Sequence, residues 1–332
     1  MCVISFKHMN YLEFTSVENL FQAWSEFKAG KRKRKDVQVF ERYLEDNLFE
    51  LYHVLKNKTY RHGKYQSFYV HDPKLRHIHK ASVQDRIVHY LLYKYLYKLF
   101  DKSFVYDSYS CRLEKGTHKA VKRLVKFTRV VSKNYTKPCW ALKLDIRKFF
   151  ASIDHQILIQ FLRKKIKDQD ILWLLEEVIN SFPSGIPLGN LTSQVFANIY
   201  MHELDQFVKH ELKIKYYIRY ADDFLIVSVS KNDLNHLIKE IGDFLWERLK
   251  LELHPKKTIL RNLDWGIDFL GYIVLPHYIL PRTKTKRRMF RKLKEKMESP
   301  NFNQSVESYL GYLSHANSVK LTMQLKNQIV IW

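Results

Sequence analysis

Apolar and polar positions along this chain follow two rhythms, one of helical period and one alternating. Val17, Leu20, Phe21 and Trp24 recur at helical spacing behind Ser16, which predicts a capped amphipathic helix. The same period runs from Phe40 to Leu55, and again from about Asp85 to Phe100, where Tyr90, Tyr93 and Tyr97 share a face and are expected to pack in the core. Tyr65 to Val70 reads as a short strand, followed by Pro73 and a basic stretch from Lys74 to Lys80. Trp140 to Leu144 is a strand candidate ending on Asp145, with Phe149 and Phe150 beyond it and Asp154 opening a helix. Two β-prone runs, Tyr216 to Tyr220 and Phe224 to Val229, flank Ala221-Asp222-Asp223. No internal repeat, low-complexity tract or long Gly/Ser/Pro linker interrupts these elements, so an α+β architecture of packed subdomains is expected.

Composition adds a core and a charge. With 332 residues, 46% hydrophobic and 14% aromatic, the chain can bury a substantial interior, which excludes general disorder. Lys and Arg number 57 against 34 Asp and Glu, a net charge of +23, and this excess points to a polyanionic partner. A membrane surface would also attract it, but no apolar run spans a bilayer and the amino terminus lacks a signal-peptide layout, so a cytoplasmic protein with no membrane partner is expected. The run Lys31 to Lys35 reads first as a solvated like-charged face; RNA contact is the sharper reading and a nuclear address the alternative. Cys2, Cys111 and Cys139 are too scattered for a disulfide framework or a zinc site, and His77 and His79 have no companions that complete a ligand set.

The candidate chemistry lies in the carboxylates. Asp145 alone would be a cap or a turn residue, and adjacent aspartates are ordinary in a solvated turn. Asp222 and Asp223, however, are bounded by long β-prone runs, where a like-charged pair is costly without cations. Three aspartates on neighbouring strands suit a hard divalent ion and two-metal phosphoryl transfer, which needs no Ser, Cys or His nucleophile.

Tyr220-Ala221-Asp222-Asp223 resembles the YxDD motif of reverse transcriptases, within an ordered set of segments from Tyr65 to Tyr272. The resemblance implies a right-hand polymerase: an N-terminal helical extension (1–64), fingers (65–139, with 155–184 a candidate return to fingers or palm), a palm of antiparallel sheet and packed helices (140–280), and a small basic helical thumb (281–332). Leu142 to Asp154 resembles the first palm motif, which makes Asp145 a metal ligand beside Asp222 and Asp223, and sets Phe150 against the nucleotide sugar, favouring dNTPs. Two Mg²⁺ ions are implied, with Mn²⁺ as the substitute. Lys74 and Arg76 resemble the fingers contacts to the triphosphate, Arg76 being the better suited to bidentate binding. Lys257, next to Lys256, falls where a lysine protonates pyrophosphate, and Phe269 to Tyr272 resembles the hairpin that grips the primer.

Gly185 to Gln194 resembles the second palm motif, a loop entering an apolar helix through Phe196, Ile199, Tyr200 and Leu204. Most reverse transcriptases read QGxxxSP there; this chain has Leu188 for the Gln and Gln194 for the Pro, around Gly189. That pattern resembles the enzymes of diversity-generating retroelements, as do Asp107 to Arg112, Lys115 to Ala120, Ser308 to Gly311 and His315 to Asn317. The resemblance implies error-prone copying at template adenines for mutagenic retrohoming, with a template RNA, a DNA primer and a small basic accessory protein as partners. An intron, retron or phage-defence reverse transcriptase is the enzyme alternative, and a non-catalytic RNA-binding scaffold the alternative of another class. From Arg282 to Lys296 the chain is densely basic, as a duplex-tracking thumb would be, and no appended nuclease or integrase domain is expected.

Overall fold

The computed structural model describes residues 10–71 and 74–331; Cys2 and Pro73 lie outside them. The chain forms two compact units, one from Met1–Val105, Ile146–Phe207 and Asp243–Glu252, the other from Tyr106–Asp145, Val208–Gly242 and Leu253–Trp332. Helices and antiparallel sheets mix in the α+β manner expected.

In the first unit, the Val17–Lys28 helix begins at Ser16, whose hydroxyl accepts from the Asn19 amide. Its buried Leu20, Trp24 and Phe27 follow the helical period. Arg32, Lys33 and Arg34 are exposed between this helix and the next, whose first residue, Lys35, is exposed as well. The expected helix from Phe40 to Leu55 is two, Lys35–Arg42 and Leu44–Lys56: Tyr43 leaves helical geometry at φ −118°, ψ 43°, and the Asn47 side chain spans the break, its Nδ2 donating to the Phe40 carbonyl at 3.0 Å. The Val83–Phe100 helix packs against Val17–Lys28 and Leu191–Gln206. Its core face is Ile87, Val88, Leu91, Leu92 and Leu96. Tyr90, Tyr93 and Tyr97 are instead half-buried at its margin, because a phenol needs a polar partner: the Tyr90 hydroxyl donates to Glu26, and Tyr93 and Tyr97 pair ring to ring. Strands β1 (Gln66–Val70) and β2 (Arg76–Lys80) make an antiparallel hairpin.

The second unit is built on an antiparallel sheet of β3 (Trp140–Asp145), β4 (Tyr217–Tyr220), β5 (Asp223–Ser228) and β6 (Ile259–Asn262), in the order β4-β5-β3-β6. A second sheet holds β7 (Ile267–Phe269), β8 (Tyr272–Val274) and β9 (Ile279–Pro281). The Thr117–Val131 helix covers both, burying Leu124 and Phe127 with Ala141, Leu225, Phe269 and Val274 in one core. The basic segment after Pro281 forms the helices Thr283–Glu295, Phe302–Leu313 and Val319–Ile331 around Met289, Leu293, Leu313 and Leu325. Cys139 is buried and Cys111 exposed, both as free thiols. Among the described residues no helix is long and apolar enough to cross a membrane.

Candidate active site

Register brings the carboxylates together. Strands β3 and β5 run antiparallel with Asp145 directly opposite Asp223. Strands β4 and β5 join through a two-residue turn, Ala221-Asp222, closed by the Tyr220–Asp223 pair. Ala221 sits at φ +55°, a conformation costing a non-glycine residue about 1 kcal/mol. Strain of this kind collects where the surroundings over-determine the backbone.

That surrounding group is Arg219, an arginine with no exposed surface. Its guanidinium donates to the Ala221 carbonyl at 3.1 Å and to the Ser108 hydroxyl at 3.0 Å, while its backbone pairs with Asp107 and Tyr109. Nearer the carboxylates are two ammonium groups. Lys143 lies two residues before Asp145 and so on the same face of β3; its Nζ is 3.1 Å from Asp223 Oδ2 and donates to the Asp268 carbonyl. Lys257 donates to Asp145 Oδ1 at 2.6 Å, whereas its neighbour Lys256 is exposed. The tight turn Pro255–Lys257 is set by His254, whose amide donates to the Asp145 carbonyl at 2.7 Å. Sequence reasoning missed Lys143, Arg219 and His254. The period-2 offset of Lys143 from Asp145, and an arginine inside the apolar run before the turn, were the available signals.

Burial pushes the Asp223 carboxyl up to about 6 against the pull of Lys143, with Asp145 and Asp222 adding repulsion. Its Oδ1 is buried without a hydrogen-bond partner. Among the described residues no three His, Cys, Asp or Glu side chains are grouped as a ready metal cage. Magnesium, however, is ordinarily held by one or two carboxylates with phosphate oxygens and water completing the shell. An opposed aspartate pair with an orphaned buried oxygen fits a divalent cation on those terms.

The first unit gathers the other candidates. The Ile186 amide donates to the Phe150 carbonyl at 2.8 Å, and Gly185, at φ +68°, lies so close that a Cβ would come within 2.3 Å of that oxygen. Phe149 is in the core at 2% exposure, while Phe150 is half-buried. The loop then zips to β2: the His79 amide donates to the Leu188 carbonyl at 2.9 Å and the Asn190 side chain to the His79 carbonyl at 3.0 Å. Gly189 between them is at φ +114°, where a Cβ would meet Ile78 at 2.8 Å. Leu188 is half-buried, Gln194 exposed, and Lys74 and Arg76 are exposed at the start of β2.

In the second unit Leu270 and Gly271, at φ +49° and +95°, turn the β7–β8 hairpin. The Gly271 carbonyl accepts from the Tyr312 hydroxyl, and the Tyr272 and Tyr312 rings stack at 4.7 Å. Arg282 pairs with Asp268, which ties the start of the basic helices to β7.

A family model described as reverse transcriptase (RNA-dependent DNA polymerase) matches residues 64–274. The group II intron-encoded protein LtrA of Lactococcus lactis subsp. cremoris is 24% identical over 305 residues, covering 69% of this chain and 50% of that protein. The COX1/OXI3 intron 2 protein of Saccharomyces cerevisiae is 24% identical over 279 residues, covering 64% of this chain and 31% of its own length. The chain thus spans half or less of these curated relatives. Apo telomerase from Candida tropicalis superposes with a TM-score of 0.52 at 13% identity, over 72% of this chain and 52% of the telomerase chain, a likeness of fold.

Proposed function

Since the chain belongs to the reverse transcriptase (RNA-dependent DNA polymerase) family, with a domain of the group II intron type, we propose that it copies an RNA template into DNA from dNTPs. The observation that carries this reading is the opposed Asp145–Asp223 pair, with Asp223 Oδ1 buried and unpaired. Asp145, Asp222 and Asp223 would hold Mg²⁺, with Mn²⁺ as the substitute. When bound, two such ions supply charge neutralisation at the attacking hydroxyl and the departing pyrophosphate.

The protein's own groups supply position and protons. Lys257 gives a proton to the leaving pyrophosphate, a role supported by its ammonium resting on Asp145. Arg76, aided by Lys74, takes the triphosphate, since a guanidinium can bind phosphate oxygens in pairs. Phe150 abuts the sugar and excludes a 2′-hydroxyl. Leu188, Gly189 and Gln194 border template and nucleotide; the aliphatic Leu188 offers no amide near the nascent base pair, so its geometry is held less tightly. Fingers, palm and thumb take residues 65–139, 140–280 and 281–332 behind the extension 1–64.

The finer reading is a diversity-generating retroelement enzyme, error-prone at template adenines, acting with a template RNA, a DNA primer and a small basic accessory protein. Leu188 and Gln194 support it. The intron-encoded relatives favour a second reading, an intron-type reverse transcriptase with ordinary fidelity. Primer extension on RNA tests the common ground: Asp222→Ala should abolish Mg²⁺-dependent dNTP incorporation and leave RNA binding intact, and undiminished synthesis would overturn the assignment. Sequencing the products separates the two readings. A wild-type excess of errors at template adenines that changes in Leu188→Gln supports the retroelement; an even spectrum in both supports the intron type.

A further inference from the structure

A buried chain of hydrogen bonds in the first unit ends on the loop just described. The imidazoles of His62 and His89 meet Nε2 to Nε2 at 3.0 Å, the second nitrogen of His62 lies 2.7 Å from the Gly63 carbonyl, and that of His89 lies 2.6 Å from the Thr192 hydroxyl. His62 has no exposed side-chain surface, and His89 and Thr192 are 1% exposed. Proton bookkeeping orders the chain. A carbonyl only accepts, so His62 carries its proton on Nδ1 and offers Nε2 as an acceptor. His89 must then donate from Nε2, which leaves its Nδ1 to accept the Thr192 hydroxyl. Nearby Asp85 takes hydrogen bonds from Tyr60, Ser82 and the Gly63 amide, and its Oδ2 lies 4.0 Å from His62 Nδ1, which favours the His62 proton on that nitrogen. Burial, followed by the His62 neighbour, pushes His89 down to about 3, consistent with a neutral ring.

Thr192 sits two residues beyond Asn190, in the first turn of the Leu191–Gln206 helix. Leu188 and Asn190 are bonded to His79 of β2, and the histidine pair supplies a third anchor, on the helical side of the same loop. We infer that Thr192 and His89 are positioning residues: through the ordered His62–His89–Thr192 chain they tie the helical end of the Leu188–Gln194 segment to the Val83–Phe100 helix, while the His79 bonds hold its other end to β2, and so they set how tightly template and incoming nucleotide are held. Neither residue touches substrate in this account. The inference rests on the polymerase reading, and on that loop being part of its substrate site.

Thr192→Val is the decisive variant, because it keeps the shape and removes only the hydroxyl. Losing one hydrogen bond of this kind should raise the KM for dNTP by between about twofold and tenfold, with kcat little changed. Thr192→Ser should restore the wild-type value. A KM unmoved in Thr192→Val, or a Thr192→Ser that behaves like valine, overturns the inference even if the melting temperature falls, because a purely structural hydroxyl would lower stability alone. A second measurement needs no activity: ¹⁵N spectra of histidine-labelled full-length protein should show His89 protonated at Nε2 and bare at Nδ1 at pH 7, and the opposite tautomer or a doubly protonated ring overturns the ordered chain. If Asp222→Ala retains synthesis, the polymerase reading fails; if only Thr192→Val is silent, this inference alone fails.

Discussion

At Asp223 burial works against the fold and for the chemistry. The carboxyl binds its proton more tightly in the folded protein, near pH 6, than in the unfolded chain, near 3.8. Its ionisation therefore opposes folding: the penalty is absent below about pH 4, grows as pH rises to about 6, and is complete above that, on the order of 2–3 kcal/mol. Asp223→Asn should accordingly raise the melting temperature by a few degrees at pH 7 without added metal, have no such effect at pH 4, and abolish incorporation; equal shifts at both pH values would refute this. Arg219 is the complementary case, since it holds the turn. Arg219→Met should leave the Ala221 carbonyl and the Ser108 hydroxyl without their donor and release the turn. A displacement of about 1 Å at reacting groups can cost on the order of 100-fold in rate. Primer extension by this variant should show a loss of at least about tenfold with RNA binding retained. Asp145, Asp222 and Asp223 stood out in the sequence because a like-charged pair bounded by β-prone runs is conspicuous. Arg219 and Lys143 were harder to pick out, because their local signals, an arginine in an apolar run and a period-2 offset from Asp145, are faint among 57 basic residues.

Among the elements, those defined by local rules were readable and those defined by packing were not. Ser16 and Asp154 cap the helices expected of them. Strand β3 ends on Asp145 as its apolar run suggested. The break at Tyr43 has no sequence signal because both flanking segments keep the helical period; the Tyr43 backbone angles and the Asn47 side-chain bond to Phe40 mark it. Likewise, the attachment of the Gly185–Gln194 loop to Phe150 and β2 depends on contacts more than thirty residues apart in sequence, for which glycine was the single hint. Gly185→Ala tests that attachment. A Cβ 2.3 Å from the Phe150 carbonyl and 2.6 Å from Ala151 meets backbone on both counts, so nothing flexible can yield. A cost of at least about 3 kcal/mol is expected, read as a lowered denaturation midpoint, whereas Gly30→Ala has only its positive φ to overcome and should cost about 1 kcal/mol.

For the molecule as a whole, charge sets binding and buried histidine limits acid tolerance. With a net charge of +23, RNA affinity should fall steeply and linearly in log–log form with salt, and an affinity constant between 50 and 200 mM salt would be insensitive only if few phosphates were contacted. His89 is held neutral well below the usual histidine range. The unfolded chain takes up that proton first, so its contribution to stability is complete above pH 6.5 and drains away as pH falls toward 3. Denaturant titrations should therefore show stability declining through this window, less so in His89→Gln. The two units interleave along the chain, each assembled from three separate segments. One bond shows what that means for synthesis: Asp145 and Lys257 are 112 residues apart. On a ribosome making about 5–20 residues each second, the nascent aspartate waits several seconds or more for its counter-ion. A message truncated before the Lys257 codon would yield a protein that carries all three aspartates without the lysine that pairs with the first.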